Sequence, residues 1–321
     1  MDSLKSIYKY YKALSVIKRS GRVLILTPRD PDGDALASSG VISVLLDKLK
    51  KPYQIFTPIP PSPSFLFLPN LEKITSDREE IDFYKYDLII IMDCGSINRT
   101  DMQDYLQNPS DSQFIIEFDH HPRKEKRHSH LEIRLPQAAA TSEILYYFLQ
   151  QNKIKINKRL AECILTGLLT DTANFLHPSA TKNTIYIASK MITQGAQFSK
   201  ITKYIWQNKS IKSMKLWSAV LNNLHINPKY NIAFTVLTQA ELQNFQEEDN
   251  SLDAITNTLN NLKGVKAVIF LRQEKENLIK GSLRTNHPQV NVAKLANYLG
   301  GGGHVKAAGF SLEGRIKKTE N

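Results

Sequence analysis

The chain has 321 residues, enough for two domains with cores of their own. Hydrophobic residues make up 41% and charged residues 23%, ordinary for a globular protein, and no run approaches the roughly 18 apolar residues of a membrane span or forms a signal segment at the N-terminus. Two cysteines exclude a disulfide framework and a zinc–thiolate site and suit a reducing cytoplasm, while the net charge of +11 points either to polyanionic partners or to a Lys- and Asn-rich proteome.

Arg22 to Thr27 reads as a buried strand that runs into Asp30-Pro31-Asp32-Gly33-Asp34. Residues 35–49 carry apolar side chains at helical spacing, including Val41, Ile42, Val44, Leu45, Leu46 and Leu49. Pro58, Pro60, Pro61 and Pro63 make 56–69 an extended loop. Leu88 to Met92 is a second strand, running into Asp93-Cys94-Gly95-Ser96, and Phe114 to Phe118 a third, running into Asp119-His120-His121. The densest basic patch, 123–127, follows at once, where it could meet phosphates; Lys317-Lys318 is the other. Helices are expected over 142–149 and 159–169, the second leading into Thr170-Asp171-Thr172. Alternation of strand and helix predicts a parallel, doubly wound α/β sheet over 1–195. A polar, Lys-rich stretch at 196–214 reads as a linker. Beyond it, 215–321 has a different texture: a strand at 231–237, a hairpin of 265–271 with 278–284, and a short helix at 291–299 ending in Gly300-Gly301-Gly302-Gly303-His304.

Three strands that deliver carboxylates and imidazoles to one sheet edge predict a divalent-metal site, because open α/β sheets bind ligands there. Asp32 and Asp34 lie two apart, so in an extended loop both carboxylates face one way. The alternative is a turn that caps the next helix. Asp171 follows a helical run, which makes it a poor N-cap and a better ligand. Adjacent imidazoles diverge, so one of His120 and His121 can bind metal while the other reaches substrate. Oxygen and imidazole donors without thiolate favour Mn²⁺ or Mg²⁺. A carboxylate-rich pair of such ions, about 3.5–4 Å apart, clamps an in-line displacement at phosphorus. Asp93 is the expected bridging ligand.

These segments, in this order, resemble the DHH phosphoesterase superfamily over nearly the whole chain. Asp30-Pro31-Asp32-Gly33-Asp34-Ala35 is similar to its first motif, Asp93-Cys94-Gly95-Ser96 with Arg99 to its second, Asp119-His120-His121-Pro122 to its third, and Gly167-Leu168-Leu169-Thr170-Asp171-Thr172 to its fourth. Ala139 to Glu143 resembles the helix start between the last two. Gly281-Ser282-Leu283-Arg284-Thr285 and Gly301-Gly302-Gly303-His304-Val305-Lys306-Ala307-Ala308-Gly309 resemble the associated DHHA1 domain. The resemblance implies a smaller mixed-sheet domain after the parallel one, with the active site in the cleft between them. It is greatest to the NrnA type, which implies a cytoplasmic enzyme with two Mn²⁺ ions, or Mg²⁺, that degrades short oligonucleotides and dephosphorylates 3′-phosphoadenosine 5′-phosphate. The implied ligands are Asp32, Asp34, Asp93, His120 and Asp171. The resemblance also implies that His121 contacts the phosphate, and that Arg284, Gly302, Gly303 and His304 hold the nucleotide. One position departs from the pattern: Pro28 stands where the first motif carries a metal-binding His. Asp30 is the expected replacement, since Asp30-x-Asp32-x-Asp34 resembles the RecJ branch; the alternative is an exposed turn residue and a weak first site. Three rival functions stay open: a RecJ-like single-strand exonuclease, a cyclic dinucleotide phosphodiesterase, and a non-catalytic nucleotide-binding protein. The expected partners are short single-stranded oligonucleotides and nucleotides, not a membrane, with a homodimer compatible with the chain.

Overall fold

A computed structural model describes residues 2–123, 128–207, 210–243, 252, 255–256, 258–317 of the chain. Of the basic patch at 123–127 only Arg123 is among them, and of the Lys317-Lys318 pair only Lys317. The chain divides into two compact units, residues 1–208 and 209–321. Among the described residues no helix is long and apolar enough to cross a membrane.

The first unit runs α1 (Asp2–Arg19), β1 (Val23–Leu26), α2 (Gly33–Lys48), β2 (Tyr53–Phe56), β3 (Ile74–Thr75), β4 (Leu88–Met92), α3 (Gln103–Gln107), β5 (Phe114–Asp119), β6 (Leu131–Arg134), α4 (Thr141–Gln151), α5 (Lys158–Asp171), α6 (Lys182–Thr193) and α7 (Phe198–Trp206). Its sheet has the order β3-β2-β1-β4-β5-β6, and every pairing is parallel. The period-2 alternation of the strands divides their side chains between two faces. Val23, Ile25, Leu88, Ile90, Met92, Ile116 and Phe118 pack with α1, α2, α4 and α5 in one core. Leu24, Leu26, Ile89, Ile91 and Ile115 pack on the other face with Phe56, Ile97, Met102 and Leu106. β1 and β4 are therefore covered on both sides, which is why both read as unbroken apolar runs. Helix α1 was not predicted; it buries Tyr10, Ala13, Leu14 and Ile17 at the spacing of one helix face. The stretch expected as a linker holds α7, whose Ile201 is buried in the first unit's core.

The topology decides where a ligand can go. Strand order reverses between β1 and β4, and in a doubly wound sheet the crevice lies at that switch, outside the carboxyl ends of the strands. The loops after β1, β4 and β5 all end there.

The second unit contains α8 (Ile211–Asn222), β7 (His225–Asn227), β8 (Ile232–Leu237), α9 (Gln239–Gln243), β9 (Ala267–Lys275), β10 (Leu278–Arg284), α10 (Val292–Tyr298), β11 (Gly302–Gly303) and β12 (Ala307–Glu313). Its sheet, β11-β12-β10-β9-β8-β7, is mixed, with β8 and β9 parallel and the other pairs antiparallel.

Candidate metal centre

Asp34 lies in the first turn of α2 and is fully buried. Its carboxylate accepts the backbone N–H of Thr141 at 2.6 Å and of Ser142 at 3.0 Å. It thereby satisfies the open end of α4, whose own N-cap position, Ala140, offers no side-chain acceptor. Asp32 is the N-cap of α2, accepting from the N–H groups of Asp34 and Ala35 at 3.0 Å each. The turn thus caps a helix and presents Asp34 inward. Asp32 is exposed as a residue, yet desolvation of its carboxyl, with repulsion from Asp93 and Asp171, lifts it to about 7. The same causes, burial first, raise the Asp34 carboxyl well above its ordinary range.

Asp93 follows β4 with φ +54°, in the left-handed region, and is 2% exposed. Such a conformation costs about 1–3 kcal/mol in a residue with a side chain. It is held by the Asp93 N–H, which donates to the Phe118 carbonyl at 2.9 Å, and by the Thr141 hydroxyl, which donates to Asp93 Oδ1 at 2.8 Å. His120 Nε2 lies 3.0 Å from Asp171 Oδ2 and 3.6 Å from Asp93 Oδ1, and its Nδ1 is 3.3 Å from the Ala138 carbonyl. A backbone carbonyl at Nδ1 favours the tautomer with its lone pair on Nε2, the usual support of a metal-binding histidine. His121 Nδ1 lies 2.8 Å from Asp119 Oδ1 and 3.4 Å from Asp93 Oδ1.

Among the described residues, two overlapping groups could hold a cation: Asp93, His120 and His121, and Asp34, His120 and Asp171. Asp32 feels Asp93 and Asp171 electrostatically but belongs to neither group, and Asp30 is exposed outside both. The donors suit a hard divalent ion. Asp171 Oδ2 is buried and lacks an aligned hydrogen-bond donor even with His120 near, as expected of an oxygen built for a cation. Burial raises the Asp171 carboxyl, against the lowering effect of His120. Burial alone would lower His120; its 3.0 Å approach to Asp171 and the charges of Asp171, Asp93 and Asp34 outweigh that and lift it to about 11. His121 likewise rises to about 10, through Asp119 and Asp93.

Several residues support the ligands in roles that the sequence did not assign to them. Asp119, fully buried, accepts from the Gly95 N–H at 2.7 Å and from the His121 N–H at 2.8 Å. Arg134 of β6 lies 3.0 Å from Asp119, pairs with Glu117 and Glu132, and donates to the His121 carbonyl at 2.7 Å. Neither Arg134 nor Thr141 carries a local signal of this role, because both act across long sequence separations. Gly167 of α5 is legible only in three dimensions: a Cβ there would overlap Asp34 Oδ1 and Ser142 Oγ. Gly167→Ala is expected to displace Asp34 and weaken cation binding at least about tenfold, with a loss of roughly 1–3 kcal/mol in stability. Metal titration beside a denaturant melt checks this, and an unchanged metal affinity would count against the packing argument.

In the second unit, Gly300 (φ +76°) closes α10 in a left-handed turn, with the Gly301 N–H donating to the Ala296 carbonyl at 2.7 Å. Gly303 (φ +146°) pairs with Ala308 of β12, where a Cβ would strike the neighbouring backbone. At Gly302 a Cβ would meet Asn297 Oδ1 at an ordinary 3.7 Å, so the position could carry a side chain. Arg284 pairs with Ala307, whose carbonyl accepts the His304 N–H at 2.6 Å, so Arg284 and the glycine segment meet at one end of this sheet.

The family model for the DHH family N-terminal domain matches residues 22–168, and that for the DHHA1 domain matches 230–320. A bifunctional oligoribonuclease and PAP phosphatase NrnA of Bacillus subtilis is 27% identical over 88% of this chain and 86% of its own. Its namesake in Thermus thermophilus is 28% identical, over 92% and 85%. An exopolyphosphatase-related protein from Bacteroides fragilis superposes with a TM-score of 0.87 at 26% identity, covering 98% of this chain and 92% of that one.

Proposed function

Since the chain belongs to the DHH family and carries a DHHA1 domain, we propose that it degrades short oligonucleotides to mononucleotides and dephosphorylates 3′-phosphoadenosine 5′-phosphate. It is a hydrolase of phosphoric esters. The observation that carries the reading is the pair of overlapping ligand groups sharing His120 at the sheet's switch point. Asp34, Asp93, His120 and Asp171 would hold one cation, and Asp93 with Asp32 the second; Asp30 is the proposed stand-in for the histidine replaced by Pro28. Two Mn²⁺ ions are proposed, with Mg²⁺ as the substitute. When bound, such cations supply charge that acidifies the attacking water and offsets charge building on the phosphoryl oxygens.

The chain's own residues do the rest. His121, oriented through Nδ1 by Asp119, would contact a phosphoryl oxygen and supply a proton to the leaving oxygen. Arg284, Gly302, Gly303 and His304 are proposed to hold the terminal nucleotide, through a guanidinium fork and backbone N–H groups. The cytoplasm is the proposed compartment.

The test is turnover of a dinucleotide, a 20-mer and 3′-phosphoadenosine 5′-phosphate with Mn²⁺ and with excess chelator. Metal-dependent turnover of the first and third, with the 20-mer slow, is expected. Full activity in chelator would refute the metal reading, and preference for the 20-mer would favour a RecJ-like exonuclease.

Metal loading should also depend on pH in a defined direction. Carboxyls that hold protons near neutrality, with Asp32 at about 7, and imidazoles at about 10–11 make protons compete with the cation. The proton-bound, metal-free fold draws its extra stability from Asp32 fully below about 4 and loses it as pH rises through 7. The share from His120 and His121 is complete below about 6.5 and is lost as pH rises through 10–11. The gap in Tm between Mn²⁺-loaded and chelated protein is therefore expected to widen from pH 6 to 8.5. A gap that narrows would contradict these proton assignments.

A further inference from the structure

A cavity of about 290 Å³ opens among the strand ends of the first unit, on the β2–β3 side of its sheet. Its walls come from three neighbouring strands: Arg29 follows β1, Phe56 ends β2 and Ser76 follows β3, with Arg78, Asp101 and Gln103 completing it. None of the residues in the two cation-holding groups lines it. Asp101 Oδ2 engages Arg29 Nη2 at 2.6 Å and Nε at 3.1 Å, but no partner of Nη1 is found among the described residues. Arg78 lies 5.5 Å over the Tyr105 ring and has no carboxylate partner among the described residues. The lining thus sets two guanidiniums against one carboxylate and carries net positive charge, with Asp30 acting on Arg29 from beside it.

Its location gives the charge a use. Arg29 stands three residues before Asp32, so the two Cα atoms are at most roughly 11 Å apart along the chain. The Arg29 N–H also donates to the Arg99 carbonyl, which ties the loop after β1 to the loop after β4. The cavity is therefore held close to the strand ends that carry the metal ligands, at a reach comparable to one nucleotide. A guanidinium fork matches phosphate better than any other common anion in geometry and charge.

We propose, on the basis of the phosphoesterase reading, that this cavity is a second anion subsite, taking a phosphate of the substrate other than the one hydrolysed. Substrates with two phosphates about one nucleotide apart would then occupy both places, and a terminal phosphate would strengthen binding of a dinucleotide.

The test uses the full chain with Mn²⁺ and three dinucleotides: ApA, its 5′-phosphorylated form and its 3′-phosphorylated form. For the unaltered protein, one phosphorylated form is expected to show a KM about tenfold below that of ApA, the size of a charge-assisted contact. In Arg78→Gln and in Arg29→Gln that ratio is expected to fall to within about twofold, with kcat on the phosphorylated form little changed. Both arginines are at the surface, so folding should survive, and a melt confirms it. If neither terminal phosphate lowers KM, or if the preference survives in both variants, the subsite does not exist. If the unaltered protein turns over none of the three, the phosphoesterase reading itself fails and takes the subsite with it.

Discussion

Asp93→Ala is expected to lower kcat by at least about 10³-fold, equivalent to roughly 4 kcal/mol of transition-state stabilisation. Asp93 Oδ1 lies within 3.6 Å of both ring nitrogens that approach it, His120 Nε2 and His121 Nδ1, and it is the proposed bridge between cations. Metal-free stability should move the other way or stay level. The Asp93 charge is among the causes that lift Asp32, Asp34 and Asp171, so its removal relieves repulsion among buried carboxylates, which offsets the lost Thr141 hydrogen bond and the lost attraction to His120 and His121. The left-handed backbone at 93 disfavours alanine, so Asp93→Asn, which tolerates that region better, is the companion variant. Turnover and a chelator melt of both variants decide the matter. Near-native turnover in either would remove Asp93 from the centre; a collapsed melt in both would make its role structural.

The second large effect is expected at Arg134, which touches no proposed ligand. Arg134→Met should cost about 3–5 kcal/mol, because it leaves Glu117 buried without a cation and strips one from Asp119 and Glu132, which keep only His121 and Arg123. For a unit of this size that is a Tm loss on the order of 10 °C at pH 7.5. Burial already holds the Glu117 carboxyl above its ordinary value, against the pull of Arg134. Burial also pushes Asp119 up, but the hydrogen bond and charge of His121, together with Arg134, outweigh it and keep that carboxyl low. Without Arg134 the carboxyls rise, so the variant regains stability as pH falls and they take up protons. The Tm deficit should therefore shrink between pH 7.5 and 5. A deficit that is constant with pH would mean that lost packing, not uncompensated charge, is responsible. Loosening of Asp119 also frees the His121 ring, so kcat should fall more than KM rises.

Val23–Leu26, Leu88–Met92 and Phe114–Asp119 are strands within a residue or two of their expected limits, because a strand buried on both faces must be apolar throughout. The acids and histidines after them could be read as one edge, since parallel strands of one sheet end on the same side. The hairpin of β9 and β10 and the helix before the glycine run follow from equally local signals.

The parallel sheet and the residues at its edge were therefore legible in the chain, and the mixed second sheet in its resemblance to the DHHA1 domain. How those residues divide the work follows from packing. Asp32 and Asp34 look equivalent in the chain, yet one caps its own helix while the other reaches across 107 positions to cap α4. Asp119 heads the motif but serves as the buried hub that orients His121, and Arg134 neutralises it from the next strand. The glycine run looks like one ligand loop, but Gly300 ends a helix and Gly303 lies against a strand, while Gly302 has only an ordinary contact with Asn297. The physical reason is common to all of these. Period and composition report which face of an element is buried, whereas hydrogen-bond partners and close approaches depend on which elements become neighbours, and that is set by the fold as a whole.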